Sequence, residues 1–151
     1  MGFEYAGVIV GLCWLRLSVA LTTGCIDKST PSTDCCYGEI ELEPTLTSVG
    51  SSAFYECFGL TGSLTLPTGL TSIGSGAFYG CDGLTGSLTL PSGLTSVGSY
   101  AFSGCDGLTG SLTLPTGLTS IGSGAFYRCD GFTGSLTLPS GLTSELCVFW
   151  L

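Results

Sequence analysis

A 24-residue unit recurs through most of this 151-residue chain. One copy runs from Leu64 as LTLPTGLTSIGSGAFYGCDGLTGS, and the copies that begin at Leu88 and Leu112 differ from it at four and two positions. A more diverged copy begins at Ile40, and a partial copy begins at Leu136 and departs from the pattern after position 144. A shared period of this kind indicates one structural unit that is repeated along the chain.

The pattern within one copy, LxLPxxLxxIGxxAFxxCxxL, predicts a short strand followed by tight turns. Leu64 and Leu66 alternate with hydroxyl residues, a period of two that is typical of a strand, and a proline then marks the end of that strand. The spacing of Ala77, Phe78 and Cys81 predicts about one turn of α-helix or 3₁₀-helix. The Asp-Gly pair after Cys81 is a turn signal that returns the chain toward the next strand.

A single copy cannot form a stable unit, because the burial of its few apolar side chains does not offset the entropy of ordering its backbone. Successive copies are therefore expected to stack, so that they share apolar faces and pair their strands. A strand joined to the next parallel strand through a crossover in every copy gives a solenoid. We expect four full coils and a partial fifth coil.

The most specific part of the repeat is an Ala-Phe pair that follows Ile-Gly or Val-Gly and precedes a cysteine. In this pattern the chain resembles the BspA-like leucine-rich repeats, which occur in surface proteins of bacteria and of some protists. The resemblance covers about residues 40–144. It implies an α/β-type solenoid, a right-handed stack with a short parallel β-sheet on the concave face and short helical or 3₁₀ turns, or loops, on the convex face. It also implies adhesion or partner binding, with no catalytic residue and no cofactor.

The composition excludes several function classes. The net charge is −8, with three basic residues, so the chain is a poor candidate for binding nucleic acid. There is no histidine, which removes the commonest general base and every histidine metal site. Serine and threonine are plentiful but lack a partner base, so we expect no enzyme activity. Asp82, Asp106 and Asp130 each precede a glycine and are expected to form turns rather than a calcium ladder.

The two ends of the chain differ from the repeat. Residues 1–24 are interpreted as a signal peptide or membrane anchor, because an apolar stretch precedes the small-x-small site Ser18-Val19-Ala20, although a mis-assigned start is also open. Residues 25–38 are polar and cysteine-rich and are expected to cap the first coil of the 39–144 solenoid. Residues 145–151 are interpreted as a truncated or frame-shifted tail, or as a hydrophobic edge open to self-association.

The nine cysteines fall into groups with different expected roles. Four recur at the repeat period and are expected to be small buried thiols beside the phenylalanines of one core ladder. These structural residues are Phe54, Phe78, Phe102, Phe126, Cys57, Cys81, Cys105 and Cys129. Four of the five cysteines outside the ladder are candidates for disulfides in an oxidising compartment, with pairing left open. These are Cys25, Cys35, Cys36 and Cys147. No metal site is expected, because paired ligand spacing is absent.

Two surfaces are candidate binding sites. The strand positions that point away from the core form a hydroxyl stripe on the expected concave face, made by Ser63, Thr65, Ser87, Thr89, Ser111, Thr113, Ser135 and Thr137. The differences between copies concentrate beside the buried AF…C segment on the expected convex face, at Tyr79, Tyr100, Tyr127 and Arg128. Exposed tyrosines are good contact residues, whereas threonine also suits a plain strand surface.

The sequence therefore predicts a secreted or cell-surface recognition module that binds a protein or a glycan. Contact with a membrane is expected only through the N-terminal segment. Two alternatives remain open from the residues alone. In the first alternative, the chain is a non-functional or truncated fragment of a longer repeat protein. In the second, it binds ice or a crystal surface through regular threonine columns.

Overall fold

The structure is a computed structural model, which describes residues 8–9, 37–134 and 136–143. Over this part the chain winds through about four coils, each with two short strands and a tight turn. The strands are β1 (Val8–Ile9), β2 (Tyr37–Glu41), β3 (Ser48–Val49), β4 (Gly59–Thr65), β5 (Ser72–Ile73), β6 (Leu84–Ser87), β7 (Ser96–Val97), β8 (Leu108–Thr109) and β9 (Ser120–Ile121). The repeat solenoid expected from the sequence is confirmed.

The strands form two parallel sheets, one on each of two sides of the coils. The five-stranded sheet has the order β1-β3-β5-β7-β9, and the four-stranded sheet has the order β2-β4-β6-β8. From β3 to β9, paired residues of neighbouring strands in the five-stranded sheet are 24 residues apart, as in the pairs Ser72↔Ser96 and Ser96↔Ser120. In the four-stranded sheet Gly62 lies beside Leu84, so these strands are staggered by two residues relative to the repeat.

The strand expected at Leu64 and Leu66 begins earlier in the chain than predicted. β4 ends at Thr65, and the equivalent strand of the next coil is the LTGS segment Leu84–Ser87. The buried and exposed residues do alternate through Leu66, but in the third coil the paired strand ends at Ser87, before the equivalent leucines Leu88 and Leu90. The five-stranded sheet was not predicted, because a strand of two residues is too short to show a period of two.

The prediction of about one turn of α-helix or 3₁₀-helix is wrong, since no helix is present in the described residues. In the second coil Tyr79 N–H donates to the carbonyl of Gly76 at 3.1 Å, as in a 3₁₀ turn, but Phe78 N–H donates to Ala101 of the next coil at 2.7 Å. Gly76 and Gly80 have φ values of 62° and 71°, which interrupt a right-handed helix. Alternate N–H groups therefore bond within the turn and between coils.

Aliphatic, phenyl and thiol side chains form one continuous apolar core through the coils. Phe54, Phe78, Phe102 and Phe126 stack in one column, with successive ring centroids 5.0, 5.2 and 5.4 Å apart and planes within 8° of parallel. Phe132 packs edge-on against Phe126 at 6.2 Å, beyond the end of this column. In the described residues every buried side-chain nitrogen or oxygen atom has a hydrogen-bond partner.

Several expectations concern parts of the chain outside the described residues. These are most of the 1–24 segment, the 25–38 cap before position 37, Cys25, Cys35, Cys36, Cys147, Ser135 and the 145–151 tail. From the first segment the structure describes Val8–Ile9, which pairs in parallel with Ser48–Val49. At the other end of the described solenoid, Leu138 is exposed.

Candidate binding surfaces

The hydroxyl stripe predicted from the sequence is exposed wherever the structure describes it. It consists of Ser63, Thr65, Ser87, Thr89, Ser111, Thr113 and Thr137. Thr61, Thr85, Thr109 and Thr133 are exposed as well and add a further hydroxyl in each coil. The sequence reading missed them because it placed the start of the strand too late. Since Ser63 lies beside Thr85, hydroxyls of neighbouring coils do not meet at equivalent repeat positions.

A second threonine column lies next to the five-stranded sheet. Thr71 Oγ1 donates to the carbonyl oxygen of Thr47 at 2.9 Å, and Thr95 Oγ1 donates to Thr71 at 3.0 Å. Thr119 and Thr143 continue the column with bonds of 3.0 Å each. These exposed hydroxyls use their proton to join one coil to the previous one. The column is therefore part of the inter-coil hydrogen bonding, in addition to being a surface feature.

The tyrosines of the AFxxC turns do not form one column. Tyr55 and Tyr79 stack with ring centroids 4.7 Å apart, whereas the equivalent position in the third coil is the buried Ser103. Tyr127 resumes this position in the fourth coil and is exposed. Tyr100 is also exposed but occupies a different repeat position, three residues earlier. The sequence reading missed Tyr55, which lies in the diverged first copy.

The positions that vary most between copies share a left-handed backbone. One set is Ser52, Gly76, Tyr100 and Gly124, with φ between 55° and 63°, and the other is Glu56, Gly80, Gly104 and Arg128, with φ between 54° and 74°. Side chains rarely adopt this region, at a cost of about 1–2 kcal/mol. The copies therefore differ in whether such a position holds glycine, which adopts the left-handed backbone without strain, or a larger residue, whose side chain points outward and whose backbone is strained.

Tyr55, Tyr79 and Tyr100 line a surface groove of about 380 Å³ with Gly76 between them. Ser52, Ser75 and Ser99 complete the lining. Partial desolvation, together with the nearby carboxylate of Glu56, raises the pKa of the Tyr55 phenol above its ordinary value. The groove joins two of the predicted tyrosines, Tyr79 and Tyr100. Tyr127 and Arg128 are not part of its lining.

The cysteine ladder contributes hydrogen bonds between coils. The thiols of Cys81, Cys105 and Cys129 donate to the carbonyl oxygens of Phe54, Phe78 and Phe102, with S···O distances of 3.1, 3.1 and 2.9 Å. Burial raises the pKa of Cys81 and of Cys129 to about 12 each, and it raises the pKa of Cys105 as well. The protonated thiol is therefore the stable form, and it keeps the proton that the hydrogen bond needs.

The expectation for Cys57 is wrong, because this residue is disulfide-bonded rather than a free thiol. The other three cysteines of the described solenoid are free, so none of them is its partner. A thiol at the first coil has no preceding repeat phenylalanine to bond, which removes the contact that the other three make. The period of 24 residues thus placed Cys57 correctly in the core but misassigned its chemistry.

The described residues contain no helix that is long and apolar enough to span a bilayer. They also hold no group of three or more Cys, Asp or Glu side chains arranged as a metal site.

Three bacterial leucine-rich repeat proteins of known structure resemble the chain, each at 34% sequence identity. A protein from Bacteroides ovatus ATCC 8483 matches with a TM-score of 0.60 over 70% of this chain and 26% of its own. The leucine-rich repeat protein of T. pallidum matches with a TM-score of 0.61 over 71% and 50%. A leucine-rich cell surface protein from Faecalibacterium prausnitzii A2-165 matches with a TM-score of 0.56 over 66% and 26%.

The matched region spans between a quarter and a half of each of these proteins. Among curated protein sequences, none matches the chain. The family model described as a BspA type leucine rich repeat region matches residues 32–145 with six copies, which covers most of the chain and contains the whole described solenoid after position 37. The chain belongs to the BspA type leucine-rich repeat family.

Proposed function

We propose that this chain is a non-catalytic recognition module, secreted or displayed at the cell surface, that binds a protein or a glycan. The observation that carries this proposal is the set of half-exposed tyrosines on a rigid stack of coils. Tyr55, Tyr100 and Tyr127 expose 46%, 49% and 40% of their surface. Tyrosine is enriched in protein interfaces, because it supplies a large contact area and a polar hydroxyl at a small cost in conformational entropy.

The scaffold supports a binding role because its contacts are fixed before a partner arrives. The turns that carry the tyrosines are joined to one another, coil to coil, by backbone hydrogen bonds of 2.6 to 3.0 Å. A side chain held in this way loses little further entropy on binding. The family, and the cell-surface relative from Faecalibacterium prausnitzii, support a location outside the cytoplasm.

The partner is expected to be recognised mainly through neutral groups. Apart from Arg128, the candidate surfaces consist of tyrosine, serine and threonine side chains, while the acidic residues Asp82, Asp106 and Asp130 lie at the turns that follow the cysteines. Attraction between neutral groups is screened little by salt, unlike attraction between charges. Binding should therefore persist when the salt concentration is raised.

The test is adhesion of the purified chain to immobilised extracellular matrix and to mucin, at low and at high salt. We expect saturable adhesion that is retained at high salt and is reduced in a Tyr100→Ser/Tyr127→Ser double variant. Thr116→Ala, an exposed change outside both candidate surfaces, is the matched control and should adhere like the parent protein. Absence of adhesion, or equal adhesion by the double variant, would count against the proposal.

A further inference from the structure

The groove beside Gly76 exists because one coil lacks a side chain that its neighbours have. The equivalent positions in the preceding and following coils hold Ser52 and Tyr100. A Cβ atom built on Gly76 would lie 3.4 Å from the ring of Tyr55 and 3.6 Å from the hydroxyl oxygen of Ser52. The missing side chain therefore leaves a gap that is bounded by an aromatic ring on one side and a hydroxyl on another.

The walls of this gap are aromatic rings whose positions are set by the fold. Tyr55 and Tyr79 stack with ring centroids 4.7 Å apart and planes 7° from parallel. The ring of Tyr100 lies over Gly124 in the following coil, where an added Cβ atom would come within 2.5 Å of it. The equivalent positions in the preceding and following coils are both glycine, Gly76 and Gly124. The Tyr100 ring therefore packs over Gly124 in the following coil, and open space remains at Gly76 in the preceding coil.

Tyr100 holds its place at an energetic cost. Its φ of 56° lies in the left-handed region, which costs a residue other than glycine about 1–2 kcal/mol. Two of the three other copies have glycine at this position, and about half of the Tyr100 surface is exposed. Strain of this kind is typical of functional positions, and here it brings a phenol to the rim of the groove.

We propose that this groove binds a neutral carbohydrate, an inference that rests on the proposed recognition function and names its ligand class. Tyr55, Tyr79 and Tyr100 line the groove, and the aromatic surface that the Tyr55–Tyr79 stack leaves uncovered carries a negative quadrupole that attracts the C–H groups of a pyranose ring. Ser52, Ser75 and Ser99 also line the groove, so six of its lining side chains carry a hydroxyl group. Each hydroxyl both donates and accepts, which matches the hydroxyls of a sugar.

The absence of charge in the lining separates this ligand from other classes. Among the described residues that line the groove, none is charged, so an anionic or cationic sugar gains no ion pair there. A proline-rich peptide also docks on aromatic grooves, but it offers carbonyl acceptors and few donors. A lining of hydroxyl-bearing side chains beside the rings favours a polyhydroxylated partner.

The experiment is titration of the full chain with neutral hexasaccharides, namely maltohexaose, cellohexaose, chitohexaose and mannohexaose, followed by isothermal calorimetry and saturation-transfer NMR. We expect at least one sugar to bind, with saturation transfer from tyrosine ring protons. Tyr79→Ser should weaken that binding at least about tenfold. Serine is already present at this repeat position as Ser103, so the coil can accommodate the change.

Phe58→Asp is the matched control, because it removes an exposed ring from outside the groove and introduces the residue that the next three copies have at that position. It should bind the sugar like the parent protein. Gly76→Tyr provides a second variant that fills the groove and follows the precedent of Tyr100, should Tyr79→Ser fail to fold. Retained binding in the folded groove variants, or equal loss in the control, would overturn the assignment of the site.

Three further outcomes test this inference separately from the proposed function. If none of the four sugars binds while the chain still adheres to matrix or mucin, the carbohydrate groove is wrong and the recognition function stands. If a proline-rich decapeptide binds the groove and the sugars do not, the ligand class is wrong. If a sugar binds at the groove but the chain adheres to neither surface, the groove assignment stands and the adhesion role fails.

Discussion

The thiol of Cys105 donates a hydrogen bond to the carbonyl oxygen of Phe78 in the preceding coil, with sulfur and oxygen 3.1 Å apart. The same carbonyl accepts the N–H of Cys81 within its own turn at 3.3 Å. The contact recurs between Cys81 and Phe54 and between Cys129 and Phe102. Each free cysteine of the ladder is therefore a directional link between coils as well as a small core side chain.

The buried thiols should be chemically inert in the folded chain. Cys81, Cys105 and Cys129 are almost fully buried, and their raised pKa values keep them protonated at neutral pH, whereas the thiolate is the reactive form. We expect no modification of these residues by iodoacetamide in the native protein and complete modification in guanidinium chloride, read by peptide mass spectrometry. Rapid labelling of Cys105 in the native state would contradict the burial of the ladder.

The same thiols make the stability fall at alkaline pH. Their ordinary pKa is 9.0, and the folded values for Cys81 and Cys129 are about 12, so the unfolded chain loses these protons first. Their contribution is complete below about pH 9 and is lost as the pH rises from 9 toward 12. The loss is about 1.4 kcal/mol per pH unit and thiol, measured by urea unfolding across this range.

A Cys105→Ala variant is the control for this pH dependence. It removes one ionising thiol and leaves the tyrosines unchanged, so its free energy of unfolding should fall less steeply above pH 9 than that of the parent protein. Identical slopes for the two proteins would show that Cys105 is not buried as a neutral thiol.

Removal of one ring from the phenylalanine column should be costly. Phe102 is fully buried between Phe78 and Phe126, so Phe102→Ala should lower the free energy of unfolding by about 3–5 kcal/mol. The exposed change Thr113→Ala should alter it by less than about 0.5 kcal/mol. Denaturant titration of both variants measures the difference, and equal losses would mean that the assignment of inside and outside is wrong.

The glycine of each Val-Gly or Ile-Gly pair should not tolerate a side chain. A Cβ atom on Gly98 would collide with the backbone of Gly74 and Ser75 in the preceding coil, so Gly98→Ala should destabilise the protein by about 1–3 kcal/mol. Gly93 is the matched control, because a Cβ atom there approaches no atom closer than 3.8 Å. Gly93→Ala should be neutral or slightly stabilising. The melting temperatures of the two variants measure this difference. Equal melting temperatures would contradict the close packing of the coils at Gly98.

Much of the solenoid could be predicted because the repeat fixes which residues face inward. The apolar spacing predicts that Leu64, Phe78 and Cys81 face the core. Because the unit repeats, the equivalent side chains of successive coils must stack. The family resemblance carried by the AFxxC segment is confirmed by the family match and by the solved structures. These features depend on burial, which a sequence pattern records directly.

The features that were missed depend on backbone geometry and on contacts between coils. The left-handed conformation of Tyr100 and Arg128 leaves no apolar pattern, and it replaces the expected helical turn with alternating bonds within and between coils. The groove requires Tyr55 and Tyr79 from two copies together with the missing side chain at Gly76. A single copy read alone contains none of these relations.

The most direct measurement of the stacked-coil arrangement is a crystal structure of the full chain at a resolution that defines ring positions. We expect the rings of Phe54, Phe78, Phe102 and Phe126 in one column with centroid separations near 5.0–5.4 Å, and Tyr55, Tyr79 and Tyr100 lining an open groove at Gly76. Phenyl rings dispersed to different faces, with no parallel pairing between residues 24 apart, would contradict the account.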